Sequence, residues 1–238
     1  MANIDDYSTD KNYIKLLYGC FYDLHNILVD FNVSYWSSAG TLLGAVRHKG
    51  IIPIDDDVDI SISYKDIDII LSSDFKKALK KKGYFVKIHK EQTSFDWIKI
   101  NSKKKVDGRI SSIDIFPVYM EKDHTGKLRT HFESSFPEDL WPNDFLYLDE
   151  LLPLKQVKFG SGVIFIPNKP KKHLDRLYGK SWKNTMYVTM DKDHMMLDKP
   201  IKIKSKNFKP ARDYASSDRQ ILVSKNDIIL TMKGSNLV

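Results

Sequence analysis

The sequence has only one cysteine, Cys20, among its 238 residues. A single thiol excludes an intrachain disulfide and a cysteine-based zinc site, and it is typical of a reducing compartment. No uninterrupted apolar run approaches the roughly 18 residues that a membrane-spanning helix needs. The first residues of the chain also contain no apolar signal-peptide core. These absences predict a cytoplasmic protein that does not span a membrane.

The composition is that of a globular protein, with 42% apolar, 29% charged and 12% aromatic residues. It excludes collagen-like, low-complexity and fully disordered classes. The length allows one large domain or two small ones, and the sequence shows no internal repeat and no long linker. We therefore expect a single domain over residues 1–238.

The charge balance is basic, at +7, from 38 lysines and arginines against 31 aspartates and glutamates. The lysines are spread along the chain, without the interleaved aromatic residues of a single-strand-binding pattern. A nucleic-acid-binding module is an alternative that this excess leaves open, and salt-dependent binding to random oligonucleotides would reveal it. Solvated lysine side chains are the simpler explanation, so we expect no nucleic-acid partner.

The apolar pattern predicts an α/β protein with a mixed sheet. Its first half contains these elements in chain order: a helix from Ser8 or Thr9 to about Asp30, a strand at 35–36, a helix opened by Gly40 and Thr41 that runs through 46, a strand at 58–62 and a helix at 65–82. Its second half contains strands at 84–88, 95–100 and 110–118, a long loop at 121–144, a hairpin of 155–159 with 163–166, and a helix at 170–178.

Four carboxylates lie within five positions at the start of the strand predicted at 58–62: Asp55, Asp56, Asp57 and Asp59. Because side chains alternate along a strand, Asp57 and Asp59 project from the same face. Carboxylates packed this closely repel one another unless a cation or full solvation compensates for their charge. Two oxygen donors on one face form half of a magnesium site, whose other ligands are typically water and substrate phosphates.

A further carboxylate, Asp114, lies in the middle of the strand predicted at 110–118. Ile113 and Ile115 are expected to face the core, so that Asp114 faces the opposite side together with Phe116. An unpaired charge at such a position is costly, so the side chain needs either a cation or a basic residue. The sequence leaves open a structural salt bridge, a third metal ligand and a general base.

Other polar residues accompany these carboxylates. Gly40 and Thr41 open a helix, and a helix N-terminus attracts phosphate through its N–H groups. Lys99 alternates with two isoleucines and is expected to face the acidic cleft, where it binds phosphate or offsets the aspartate charge. His48 follows the same short helix, where it contacts phosphate or is merely exposed.

These features together resemble the nucleotidyltransferase-fold superfamily, and more closely the LicD/fukutin family of phosphotransferases. Three blocks carry the resemblance: GTLLGAVRHKGIIPIDDDVDI at 40–60, IDIFPV at 113–118, and FGSGVIFIP with the following LDRLYGKSW within 159–182. The family usually has tryptophan at the position of Ile54, a change that affects packing more than catalysis. Residues after about 190 match nothing in the family, so we expect a core at about 8–190 and a C-terminal extension at 191–238.

The resemblance implies an α/β (α+β) fold, with a nucleotidyltransferase-like mixed β-sheet flanked by helices. It implies transfer of a phospho-alcohol (phosphocholine, ribitol phosphate or glycerol phosphate) from a CDP-linked donor to a sugar hydroxyl of a glycan or glycolipid. Mg²⁺ or Mn²⁺ would assist, held by Asp57 and Asp59. Asp114 would complete this metal site or accept the proton of the attacking hydroxyl.

The same resemblance implies roles for the neighbouring residues. Gly40 and Thr41 would hold phosphate, Arg47 would neutralise charge on the leaving nucleotide, and Asp55 would support the acidic turn. Two alternative functions use the same residues. A true nucleotidyltransferase would place a nucleotide on an alcohol, a protein or an RNA, and an inactive family member would act as a binding protein.

Overall fold

The computed structural model describes residues 7–91, 94–132, 139, 141–190, 196–204 and 210. The chain begins with the predicted long helix, α1 (Lys11–Asp30), whose apolar stripe is buried. Its N-cap is Asp10 rather than the predicted Ser8 or Thr9, because the Asp10 carboxylate accepts the backbone N–H groups of Asn12 and Tyr13 at 2.7 and 3.1 Å.

A mixed sheet forms the centre of the described fold. Its strands are β1 (Tyr35–Ser37), β2 (Val58–Ser63), β3 (Tyr84–Glu91), β4 (Ser94–Val106), β5 (Arg109–Lys122) and β6 (Leu128–Phe132). The spatial order is β1-β2-β5-β4-β3, and β6 pairs with the far end of β5. The β2–β5 pair is parallel and the other strand pairs of this sheet are antiparallel. The predicted fold class, a mixed sheet flanked by helices, is confirmed.

One helical segment precedes β2 in the chain and another follows it. The helix α2 (Ala39–Arg47) joins β1 to β2 and starts one residue before the predicted Gly40. The single helix predicted at 65–82 is wrong: the structure has a 3₁₀ turn at Tyr64–Asp66, then α3 (Ile67–Leu71) and α4 (Ser73–Lys81). Ser72 separates the two helices because it adopts an extended conformation and accepts the N–H of Phe75 as an N-cap.

The long loop predicted at 121–144 is also wrong in part. Strand β5 continues to Lys122 and β6 returns along it, with Asp123 accepting the turn's N–H groups from Thr125 and Lys127. The repeated charged and polar residues of this hairpin hide its strands, because one face of it is solvated. Residues 133–138 and 140 of the predicted loop lie outside the described residues.

The remaining elements follow the sheet. They are α5 (Leu148–Leu151), the predicted hairpin β7 (Lys155–Phe159) and β8 (Gly162–Ile166), the predicted helix α6 (Pro170–Tyr178), a 3₁₀ turn at Lys180–Lys183, and the strands β9 (Thr185–Met190) and β10 (Met196–Lys204). Strands β9 and β10 pair with each other, so this hairpin crosses the expected boundary at 190/191. Most of 191–238 lies outside the described residues, and the single-domain expectation stays a prediction.

The two faces of the sheet are covered differently. Helix α1 packs on the face that carries Ile113 and Ile115, which belong to the larger apolar cluster. The opposite face carries Asp114 and Phe116 together with a smaller cluster around Trp36, as the alternation of β5 predicted. Among the described residues, none of the helices combines the length and the apolar composition of a membrane span.

Candidate active site

Three carboxylates converge where β2 and β5 run side by side. Asp59 and Asp114 are register partners on these parallel strands, and Asp57 stands immediately before β2 on the same face. Each of the three residues offers one carboxylate oxygen, and these oxygens all lie within 4.8 Å of one another. The structure therefore brings together the three residues that the sequence analysis proposed as metal ligands.

It is energetically costly for all three of these carboxylates to be ionised without a compensating cation. Removal from water raises the pKa of Asp57 to about 6, and the charges of Asp56 and Asp114 add to that rise. Burial also raises the pKa of Asp59 well above its usual range, and the charges of Asp57, Asp55 and Asp114 add to that rise. A nearby cation would lower both pKa values and relieve this repulsion.

Lys99 provides one such cation from the chain itself. It is the register partner of Asp114 on the antiparallel strand β4, and its Nζ lies 2.9 Å from Asp114 Oδ2. The other oxygen of Asp114 accepts the Ser112 hydroxyl at 2.9 Å. Lys99 thus faces the acidic cleft as expected, and its contact favours the role of offsetting the aspartates.

The first two carboxylates of the acidic turn, Asp55 and Asp56, do not belong to the group of three converging oxygens. Asp56 lies 3.8 Å from the Arg109 guanidinium, which itself stacks over the Tyr13 ring at 4.2 Å. Asp55 lies on the other side of the turn, against Gly40, where an added Cβ would stand 3.0 Å from the Asp55 carboxylate. Burial and the charges of Asp57 and Asp56 raise the pKa of Asp55 well above its usual range.

Thr41 positions Asp59 through the backbone. Its hydroxyl accepts the N–H of Asp59 at 2.8 Å, and only 4% of Thr41 is exposed.

Ala39, the first residue of α2, has a φ of 44°, a conformation that residues other than glycine adopt rarely. The predicted phosphate contacts of Gly40 and Thr41 stay predictions, with Thr41 buried and Gly40 in the first turn of α2.

Arg47 and His48 do not join the three carboxylates. The Arg47 Nη1 donates to the carbonyls of Trp182 and Thr185 at 2.8 and 3.2 Å, and burial lowers its pKa to about 10. His48 is buried, and its burial and the adjacent Arg47 charge lower its pKa to about 3, so that the imidazole is neutral at pH 7. The alternative that His48 is merely exposed is therefore wrong, and its phosphate contact stays a prediction.

Two cavities meet at Tyr178. The first, of about 270 Å³, contains the three carboxylates and is lined further by Ser38, Trp97, Phe116, Trp141, Asp144 and Tyr178. The second, of about 370 Å³, is lined by Gly40, Arg47, Asp55, Trp182, Thr185, Tyr187 and again Tyr178, among others. We name them the carboxylate cavity and the arginine cavity.

Sequence reasoning missed Asp144 as a site residue. It lies in the segment predicted to be loop, between Trp141 and α5, and no periodic pattern marks it. Its Oδ1 lies 3.0 Å from Nε2 of His173 on α6. The sequence carries no local signal for it, because its partner His173 approaches it only in the folded chain.

The donor set of the carboxylate cavity fits a hard divalent cation. Mg²⁺ prefers carboxylate oxygens and commonly keeps several waters beside one or two carboxylates and substrate phosphates. Asp57, Asp59 and Asp114 each supply one carboxylate oxygen, and these oxygens lie within 4.8 Å of one another, close enough to share one small ion. The raised pKa values of Asp57 and Asp59 are the physical reason for this fit, because the isolated charges are costly without a cation.

Comparisons with known proteins agree with this architecture. The family model described as LicD/FKTN/FKRP, nucleotidyltransferase domain, matches residues 32–169, a range that contains the three carboxylates. The chain is 33% identical to an uncharacterised protein of Rickettsia typhi over 86% of this chain and 59% of that relative.

Two named relatives are also similar to the chain. The ribitol-5-phosphate transferase FKTN of Mus musculus is 32% identical over 66% of this chain and 31% of its own length. The lipopolysaccharide cholinephosphotransferase LicD of Haemophilus influenzae is 50% identical over a stretch of 36 residues, 15% of this chain and 14% of its own length. The chain thus spans less than two thirds of the length of the curated relatives that it matches.

Proposed function

The chain belongs to the LicD/FKTN/FKRP nucleotidyltransferase family, and from this membership we propose that it is a phosphotransferase. It moves a phospho-alcohol from a CDP-linked donor to a sugar hydroxyl of a glycan or glycolipid. The reaction forms a bond between the acceptor oxygen and the phosphorus distal to cytidine, breaks the pyrophosphate bond and releases CMP. The named relatives are a ribitol-5-phosphate transferase and a lipopolysaccharide cholinephosphotransferase, so ribitol phosphate and phosphocholine are the first candidates for the transferred group.

One observation carries this proposal: the oxygens of Asp57, Asp59 and Asp114 lie within 4.8 Å of one another on a wall of the carboxylate cavity. Phosphoryl transfer depends on positioning and charge neutralisation more than on a protein nucleophile. A Mg²⁺ ion bound here would polarise the phosphoryl oxygens and align the attacking and leaving oxygens. Mn²⁺, which takes the same oxygen ligands, is the second candidate.

The chain's own residues divide the remaining work. Thr41 fixes the backbone of Asp59, and Lys99 fixes the orientation of Asp114 through its ion pair. The first turn of α2, which contains Gly40, faces the arginine cavity, where Arg47 brings positive charge. We place the leaving CMP phosphate on this side, because the helix N-terminus and a guanidinium both favour an anion.

The test determines which part of a labelled donor, the alcohol or the cytidine, is transferred to the product. CDP-ribitol, CDP-glycerol and CDP-choline are prepared with label in the alcohol or in the cytidine and incubated with the chain, Mg²⁺ and water or simple sugars as acceptors. We expect magnesium-dependent release of CMP, with only the alcohol label in the product phosphate ester. Transfer of the nucleotide label from CTP to an acceptor would contradict this proposal and support a nucleotidyltransferase.

The inactive-relative alternative has a separate outcome in the same assay. It predicts magnesium-dependent binding of a CDP-alcohol with no CMP release. Asp57, Asp59 and Asp114 argue against it physically, because three clustered carboxylates destabilise a fold that does not use them. CMP release at the rate of the uncatalysed control, with binding intact, would favour this alternative.

A further inference from the structure

We propose that Asp144 is the catalytic base that accepts the proton of the attacking hydroxyl. This inference rests on the proposed function, because it needs a hydroxyl and a phosphorylated donor in the carboxylate cavity. The attacking oxygen bonds to the donor phosphorus, its proton passes to Oδ2 of Asp144, and the pyrophosphate bond to CMP breaks. The proton then leaves Asp144 to solvent, and the carboxylate is regenerated.

Asp144 lies in the right place for this step. It lines the carboxylate cavity with Asp57 and Asp59 but lies outside the group of three oxygens that converge within 4.8 Å. Its charge acts on that group: burial is the largest cause of the raised pKa of Asp59, and the charge of Asp144 is one of the smaller causes. Asp144 is therefore near the proposed metal ligands without being one of them.

The side chain of Asp144 is oriented through one of its two carboxylate oxygens. Oδ1 lies 3.0 Å from Nε2 of His173, whose side chain is 1% exposed. Within the described part of the chain, Oδ2 has no hydrogen-bond partner, and the Asp144 side chain is 12% exposed. Asp144 also lines the carboxylate cavity, and an oriented carboxylate beside a substrate cavity is the arrangement that general base catalysis requires.

The backbone around Asp144 is fixed by helix α6. His173 Nδ1 lies 2.8 Å from the carbonyl of Phe145, the next residue in the chain, and the Arg176 guanidinium donates to the same carbonyl. The Phe145 ring lies under the guanidinium of Arg176 at 4.1 Å and near that of Arg129 at 4.5 Å. Arg176 is in turn paired with Glu150 at 2.8 Å. His173 is thus a positioning residue for Asp144.

The other candidate for the base, Asp114, is less suited to the task. Lys99 lies 2.9 Å from one of its oxygens and the Ser112 hydroxyl donates to the other. Both oxygens of Asp114 are therefore engaged by partners from the chain itself, whereas only Oδ1 of Asp144 contacts a partner among the described residues. An oxygen of Asp114 also belongs to the convergent group that suits the cation. Of the three roles that the sequence left open for Asp114, we therefore assign the metal ligand to Asp114 and the general base to Asp144.

The aromatic wall of the carboxylate cavity provides a surface for the acceptor. Trp97, Phe116 and Trp141 line it beside Asp144, and Trp141 is 43% exposed. Aromatic faces beside a carboxylate suit a sugar ring, because the rings cover its C–H face while the carboxylate accepts a hydroxyl hydrogen. An acceptor stacked here presents its hydroxyl to Asp144.

The experiment measures CMP release from CDP-ribitol and CDP-choline with Mg²⁺, and with water as the acceptor. Asp144→Asn should lower the rate by about 10²–10⁴-fold, the usual contribution of a general base. The same variant should keep the wild-type magnesium concentration for half-maximal thermal stabilisation by the CDP-alcohol. Asp149→Asn is the matched control. Asp149 lies in the neighbouring helix α5 and pairs with Lys169 at the surface, so this variant should keep the wild-type rate.

Two further variants separate chemistry from structure. Asp144→Gly should regain part of the lost rate with added formate, which restores a carboxylate to the emptied position. His173→Gln should lower kcat with little change in KM for the donor, and His173→Phe should lower it further. Far-UV circular dichroism and thermal unfolding check that each variant folds, and rates are compared only among folded variants.

The outcomes are distinct. An Asp144→Asn variant that keeps the wild-type rate overturns the inference, and so does a raised magnesium requirement, which would make Asp144 a metal ligand. Lack of formate rescue in a folded Asp144→Gly variant that binds donor also counts against a proton-accepting role. If the wild-type chain itself releases no CMP from any CDP-alcohol, the proposed function fails, and the inference fails with it.

Discussion

Asp59 and Asp114 stand opposite each other on two parallel strands, β2 and β5, which lie far apart in the sequence. The parallel register aligns their side chains on one face of the sheet, and Asp57 joins them from the residue before β2. Strand pairing thus fixes the relative positions of Asp59 and Asp114, which the proposed metal site would use.

Substitution of Asp57 separates catalysis from folding. Asp57→Asn should lower CMP release by more than the roughly 10–100-fold that loss of an outer-shell partner of a metal site costs. The melting temperature in metal-free buffer should stay the same or rise, because one of three repelling charges is removed. Asp56→Asn is the matched control, since Asp56 faces Arg109 outside the cavity. A clear drop in melting temperature for Asp57→Asn would mean that this carboxylate is structural.

Substitution of Lys99 should have the opposite effect on stability. Lys99→Met removes the cation that faces Asp114 at 2.9 Å, and we expect a loss of about 1–3 kcal/mol in the free energy of unfolding in metal-free buffer. Saturating Mg²⁺ should narrow this loss, because the ion replaces the missing positive charge. Lys103→Met, at an exposed position of the same strand, should change little. Equal losses in both variants would rule out the charge-offset role.

Thr41 tests whether the backbone of Asp59 needs its hydroxyl acceptor. Thr41→Val leaves the Asp59 N–H without the oxygen that accepts it at 2.8 Å. We expect a loss of about 1–3 kcal/mol in chemical unfolding, the cost of an unsatisfied buried donor, together with weaker magnesium binding. Thr41→Ser keeps the oxygen and should retain most of both properties. Wild-type magnesium affinity in Thr41→Val would show that the hydroxyl does not position Asp59.

Arg47 is expected to affect both stability and donor binding. Its guanidinium donates to the carbonyls of Trp182 and Thr185, so Arg47→Met should lower the free energy of unfolding by about 1–3 kcal/mol. If it also neutralises the leaving nucleotide, KM for the CDP-alcohol should rise in the folded variant. A normal KM with reduced stability would assign Arg47 to the structure alone.

Local sequence patterns predicted much of the fold that holds the site. The alternation of Val58, Ile60 and Ile62 identified β2, and the same rule placed Asp114 on the face opposite Ile113, as observed. These predictions succeed because burial on one face of a strand leaves a period of two in the sequence. The resemblance of the blocks at 40–60 and 113–118 to one family then indicated that the aspartates of β2 and β5 belong to one site.

Other features could not be read from the sequence, for identifiable reasons. The break at Ser72 depends on one side chain capping Phe75 in place of helix continuation, a local competition that periodicity does not register. The different directions of Asp55, Asp56 and Asp57 depend on Gly40 and Arg109, which approach the acidic turn only in three dimensions. Asp144 was missed because its importance comes from contacts with α6, not from its neighbours in sequence.

The most direct test of the central claim is thermal unfolding of the wild-type chain with Mg²⁺ and a panel of CDP-ribitol, CDP-choline, CDP-glycerol, CTP and ATP. A ligand at about 100 times its dissociation constant adds roughly 2.7 kcal/mol to the free energy of unfolding, enough to raise the melting temperature by several degrees. We predict a rise that requires both Mg²⁺ and a CDP-alcohol and that is absent in Asp57→Asn. A rise with CTP or ATP alone, or no rise with any CDP-alcohol, would contradict the account.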